Sequence, residues 1–160
     1  METNMYQIKE PLAALDVAPR AKLSNYPPVF AARMAGRSKR QLGDAYGLTR
    51  FGVNLVELTP GARSSLLHRH SRQQEFVFIL TGRPMLRIDE EERELAPGMC
   101  IGFLPDGPAH CLVNRSDTLV RYLEIGDRDP EDGATYPEDD LVAERCQDAW
   151  RFVHRDGMPW

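Results

Sequence analysis

A chain of 160 residues, 42% apolar and 28% charged, fits one domain with a buried core and has the balance of an ordinary globular protein. Its net charge of -4 argues against a nucleic-acid partner, because phosphate binding is driven by concentrated Lys and Arg. The longest apolar run, Phe76 to Leu80, is far short of a membrane span, and Met1-Glu2-Thr3-Asn4 lacks a charged-then-apolar leader pattern, so no membrane is expected and the cytoplasm is the expected location.

In chain order, residues 1–46 read as an N-terminal arm and loop, with turn chemistry at Ser24-Asn25-Tyr26-Pro27-Pro28. Arg33, Arg37, Lys39 and Arg40 follow as a basic cluster, read as a solvated surface or a partner for the acidic C-terminal stretch ahead of a weaker reading as an anion site. Residues 47–126 change character: β-branched and aromatic runs alternate with Gly, Pro and acidic turns. The expected strands are Arg50 to Leu58, Ser64 to His70, Glu75 to Thr81, Pro84 to Ile88, Glu92 to Leu95, Met99 to Leu104, His110 to Asn114 and Leu119 to Ile125. Strands at that spacing predict an all-β, double-sheet barrel of jelly-roll type. Residues 127–160 read as an acidic loop, interrupted by Pro130 and Pro137, and then a tail whose Trp150, Phe152 and Val153 fold back on the barrel. Cys100, Cys111 and Cys146 are widely spaced and odd in number, which describes free thiols.

In the strand from Glu75, alternation turns Glu75, Val77 and Ile79 inward and leaves Phe76, Phe78 and Leu80 as an outer apolar stripe. Such a stripe needs a cover, either the arm or a second copy of the chain, and a homodimer is the expected assembly. His68 and His70, two apart, project to one side of their strand, where Glu75 can join them; nitrogen and oxygen donors of this kind suit one divalent transition metal. His110 must arrive from elsewhere in the fold. Arg69 alternates with the ligand histidines and points away, and His154 is distant, so both read as structural.

Two spaced patterns carry a resemblance. Gly61, six residues, His68-x-His70, four residues, Glu75, six residues and Gly82 resembles the first motif of the cupin superfamily; Gly98, six residues, Pro105-x-Gly107, two residues, His110, three residues and Asn114 resembles its second. The flanks Gly47-Leu48-Thr49-Arg50-Phe51-Gly52-Val53-Asn54, Tyr136-Pro137-Glu138-Asp139-Asp140-Leu141 and Arg155-Asp156-Gly157-Met158-Pro159 are similar to a group of small single-domain bacterial cupins. The resemblance implies a double-stranded β-helix and a metal held by His68, His70, Glu75 and His110: zinc, iron, nickel, manganese or copper. Asn114 is either a hydrogen bond behind those ligands or a satisfied turn amide. Where such proteins often carry an acidic residue before the motif glutamate, this chain has Gln73-Gln74-Glu75.

Some members of that group are proposed sugar-phosphate isomerases, so the expected activity is Lewis-acid chemistry on a small oxygenated metabolite, with dioxygenase chemistry as the alternative if the metal is iron. The other reading is a non-catalytic pocket that binds or senses a small molecule. A further inward ionisable group, near the metal but not ligating it, separates the two, and no general base is apparent in the sequence. Arg50, Arg63 and Arg72 are the candidate anchors for an anionic substrate.

Overall fold

The computed structural model describes residues 9–146 and 149–160; the first eight residues of the expected arm lie outside the described residues. Among the described residues twelve strands are present: β1 (Arg37–Gln41), β2 (Phe51–Leu58), β3 (Arg69–His70), β4 (Glu75–Thr81), β5 (Met85–Ile88), β6 (Glu91–Glu94), β7 (Cys100–Phe103), β8 (His110–Val113), β9 (Val120–Asp127), β10 (Gly133–Tyr136), β11 (Leu141–Cys146) and β12 (Ala149–Val153). Two short helices, α1 (Pro28–Ala31) and α2 (Leu42–Ala45), flank β1. One layer is a five-stranded sheet in the order β1-β2-β9-β4-β7. The other is built from the sheets β12-β11-β10-β3 and β6-β5-β8, which the bridges Arg63–Val113 and His68–His110 connect. This is the double-sheet barrel that the strand spacing predicts.

The interior holds two apolar clusters. Val56, Leu58, Val77, Ile79, Val120 and Tyr122 of the five-stranded sheet meet Leu86 and Leu112 of the facing layer, while Phe30, Met34, Leu66, Ala134, Tyr136, Leu141 and Ala143 form a second core. Strand parity on β4 is as expected: Val77 and Ile79 are buried, and Phe76 and Leu80 are 38% and 39% exposed on the outside. Gly82 follows at φ 78, where a Cβ would meet the Leu119 carbonyl and Val120 at 2.8 Å, so this turn accepts no side chain without strain.

Three readings are corrected. The segment Ser64 to His70 is regular strand only at β3, because its earlier half bridges to β8 rather than forming a continuous ladder. The stretch after Gly126, read as loop and tail, holds β10, β11 and β12, whose inward Ala134, Tyr136, Leu141, Ala143 and Val153 are buried. The basic cluster lies largely on a strand, β1, paired to β2 with Lys39 opposite Val56, and its parity divides it. Arg33 binds Asp139 at 2.6 Å and Arg40 lies 3.7 Å from Glu57, whereas Arg37 and Lys39 line the interior cavity.

Candidate metal centre

His68, His70 and Glu75 offer ligand atoms that all lie within 4.8 Å of one another. The Nε2 atoms of His68, His70 and His110 stand 3.6, 3.7 and 2.8 Å from one oxygen, Oε2 of Glu75. The strands explain the convergence. Glu75 opens β4 on its inner face, His70 ends β3 just before it, and His68 bridges directly to His110 at the start of β8, so the fold brings a distant segment to a neighbouring pair.

The other ring nitrogens are committed. Nδ1 of His68 donates to the Leu66 carbonyl at 3.0 Å, Nδ1 of His110 to the Pro108 carbonyl at 3.3 Å, and Nδ1 of His70 to Asp132 Oδ2 at 2.6 Å. Because carbonyl and carboxylate oxygens only accept, these partners place a proton on Nδ1, so that a neutral ring turns its Nε2 lone pair towards Glu75. Three lone pairs aimed at one carboxylate oxygen repel unless positive charge sits among them, and a divalent ion supplies that charge without protonating the rings. The donor set therefore fits a metal: these residues could hold one ion.

The electrostatics agree. Burial alone would push the Glu75 carboxyl up, but positive charge on the Nε2 side of His110, His68 and His70, whether ring protons or an ion in their place, holds it well below the ordinary carboxylate range. Burial lowers His70, but the Asp132 hydrogen bond and the charges of Glu75, Asp132 and Glu124 outweigh it and the net shift is upward. Phe103 stacks face to face on His110 with ring centres 3.5 Å apart, fixing the ring's plane.

Asp132, only 3% exposed, is a residue the sequence reading missed; it sits in the acid-rich stretch with Asp127, Asp129 and Glu131, none of which spacing distinguishes. Its Oδ1 accepts the backbone N–H groups of Arg72 and Gln73, so one side chain orients His70 and pins the turn into β4. Asp132→Asn keeps an oxygen for those N–H groups but loses the charged partner of His70. We expect metal affinity to fall by about 10- to 100-fold, read by competition with a chelating dye.

Asn114 lies elsewhere. It is fully buried, its Nδ2 donates to the Leu58 and Thr118 carbonyls at 2.9 and 2.7 Å, and its Oδ1 accepts from Ser116, so it is the turn amide between β8 and β9 rather than a support for the ligands. Cys111 is buried with Leu67 and Ala109, and all three cysteines are free thiols. His154 donates to Asp140 at 2.8 Å and stacks on Trp160, away from the cavity.

The histidine cluster opens into a cavity of about 260 Å³, walled by Tyr26, Tyr136, Trp150 and Phe152 among others. None of the three expected anchors lines it: Arg50 is exposed, Arg63 bridges to Val113, and Arg72 pairs with Glu131 at 3.0 Å. The cationic side chains that do line it are Arg20, Arg37 and Lys39. Glu124 also faces the cavity from β9, directly opposite Val77 and one inward position from Gly126, which pairs with Glu75. Lys39 donates to Glu124 Oε1 at 2.6 Å and Asn54 to the same oxygen at 3.2 Å, so Oε2 has no hydrogen-bond partner among the described residues.

The comparisons with known proteins bear on this geometry. The family described as Cupin domain matches residues 54–126. A sugar phosphate isomerase of a cupin superfamily from Silicibacter pomeroyi is 39% identical, with 94% of this chain and 96% of that chain covered and a TM-score of 0.89. A protein from Acidithiobacillus ferrooxidans, named a candidate sugar phosphate isomerase, is 28% identical over 87% of this chain and 96% of its own, with a TM-score of 0.72. The polyketide cyclase RemF from Streptomyces resistomycificus, at 20% identity, 75% and 80% coverage and a TM-score of 0.62, shares the fold. Among curated proteins, mannose-1-phosphate guanylyltransferase from Escherichia coli is 30% identical over 93 residues, and the chain spans 18% of that protein's length. No helix of the described residues is long and apolar enough to cross a membrane. With both spaced motifs converging as a histidine–carboxylate cluster inside a double-sheet barrel, and a 39% identical relative matched over nearly its whole length, this chain belongs to the cupin superfamily.

Proposed function

We propose that the chain is a metal-dependent enzyme acting on a small oxygenated metabolite, with sugar-phosphate isomerase-like chemistry. The observation that carries this reading is Glu124, an inward carboxylate that shares the cavity with the histidine cluster but is not one of its ligands. A pocket that only binds has no need of a second, half-buried carboxylate with one oxygen free, whereas an isomerase needs a base. The names of the relatives from Silicibacter pomeroyi and Acidithiobacillus ferrooxidans point the same way.

His68, His70, Glu75 and His110 would hold a divalent transition ion, which supplies Lewis-acid polarisation of a substrate carbonyl. Diagonal neighbours on a sheet face lie ~7–8 Å apart, which places Glu124 about a metabolite's width from Glu75. Glu124 Oε2 takes the proton from the carbon next to the carbonyl and returns it to the former carbonyl carbon. The neighbouring hydroxyl proton passes to the former carbonyl oxygen, so aldose and ketose interconvert without gain or loss of atoms. Lys39 and Asn54 fix the carboxylate by holding its other oxygen. Tyr26, Tyr136, Trp150 and Phe152 exclude water from that half of the cavity.

We place the enzyme in the cytoplasm as a homodimer. Free cysteines support the first, and the exposed Phe76 and Leu80 on the outer face of β4 support the second.

The test is proton exchange. Metal-loaded protein is incubated with phosphorylated aldoses and ketoses in deuterated water, and deuterium at the carbon beside the carbonyl is followed by NMR. Incorporation, with interconversion, is expected for at least one sugar phosphate; no exchange with any of them, together with tight binding of an unchanged ligand, would sink the enzyme reading.

A further inference from the structure

Arg20 and Arg37 have no carboxylate partner among the described residues, although both line the cavity. Every acceptor they meet there is a neutral carbonyl. Arg20 donates from Nε to Lys22 at 2.8 Å and from Nη2 to Leu23 at 3.1 Å; Arg37 donates from Nη2 to the same Leu23 carbonyl at 2.6 Å and from Nη1 to Ser64. Two guanidinium groups therefore share one carbonyl oxygen, side by side, at half-buried positions. Burial lowers the Arg20 pKa and the adjacent Arg37 lowers it further, against a smaller upward pull from Glu124. The third cation, Lys39, differs because its charge is matched by Glu124.

The arrangement is fixed by the fold. Arg37 and Lys39 are two apart on β1 and share its inner face, and the Arg20 backbone N–H donates to the Lys39 carbonyl at 2.8 Å, which ties the preceding loop to that strand. Two like charges held together have their repulsion relieved by an anion seated between them, and each guanidinium keeps N–H donors beyond the two it spends on carbonyls. Two positive charges match a dianion better than a monoanion, and planar forks suit tetrahedral oxygens.

We propose that Arg20 and Arg37 form the seat for a phosphoryl dianion, so that the substrate is a phosphorylated metabolite held with its phosphate at the β1 side of the cavity and its reactive oxygen towards the histidine cluster. This deepens the proposed function and rests on its reading of the cavity as the substrate site. It also replaces Arg50, Arg63 and Arg72 as the anion anchors.

The test measures inorganic phosphate binding by calorimetry on chelator-treated, metal-free protein, so that neither metal nor turnover contributes. Acetate at matched ionic strength is the comparison anion. Arg20→Gln and Arg37→Gln are each expected to weaken phosphate binding roughly 10- to 100-fold, the loss expected for a hydrogen bond to a charged group, while Arg72→Gln leaves it unchanged. Arg37 also ties β1 to Ser64 and Leu23, so thermal unfolding is recorded for each variant; if Arg37→Gln does not fold, Arg20→Gln carries the test. Equal phosphate affinity in all four proteins, no phosphate binding by the wild type, or acetate binding as tightly as phosphate would overturn the proposal. Phosphate binding that needs Arg20, alongside no proton exchange with any sugar phosphate, keeps the seat and removes the isomerase reading. Exchange on unphosphorylated sugars with no phosphate binding does the reverse.

Discussion

Glu124→Gln should reduce proton exchange and turnover by about 10²- to 10⁴-fold, the usual contribution of a positioned general base, while metal content stays at the wild-type level. The amide keeps the size of the side chain and an oxygen for Lys39 and Asn54, but it cannot take a proton. Because Glu124 contributes no atom to the histidine cluster, its loss separates catalysis from metal binding. If turnover persists within a few-fold of wild type, another group is the base. Loss of the metal would instead place Glu124 among the supports of the cluster.

The second large effect concerns the cluster itself. Saturating the wild type with a suitable ion at 100 times its dissociation constant should raise folding stability by about 2.7 kcal/mol. His70→Ala or His110→Ala should abolish most of that increment. Each variant removes one of the imidazoles whose Nε2 faces Glu75, and loss of one of four donors weakens binding well beyond the fall expected for Asp132→Asn. His154→Ala, which touches Asp140 and Trp160 outside the cavity, should leave the metal-dependent increment intact. Thermal unfolding with and without added metal reads all three.

How far the sequence reached depends on which residues have an anchor for their parity. On β4 the metal-type glutamate sets the phase, so the inward Val77 and Ile79 and the outward Phe76 and Leu80 follow from alternation. On β9 no such anchor exists. Val120, Tyr122 and Glu124 face inward while Leu123 and Ile125 face outward, and with apolar residues on both sides alternation cannot select Glu124. Arg37 and Lys39 were within reach, since residues two apart share a face once β1 is recognised as a strand; their charge made the segment resemble surface.

The C-terminal strands failed for a different reason. Local composition from Asp127 to Asp140 is that of a solvated loop, and only pairing of Ala134 with His70 and Ala143 turns it into sheet. Asp132 inherits its role from that pairing: it stands beside Gly133, the first residue of β10, and so reaches His70. The histidines and Glu75 were legible because a metal site imposes spacing on its donors. Residues that orient those donors or meet a substrate can come from any segment the fold brings near.

His68, His70, Glu75 and His110 are expected to hold one divalent ion together. X-ray absorption on protein loaded with one equivalent of metal tests it most directly. Three imidazole nitrogens and a carboxylate oxygen are expected at ~2.0–2.2 Å, with the nitrogen signal reduced in His110→Ala. A first shell made only of oxygen, or a spectrum unchanged by that substitution, would contradict it.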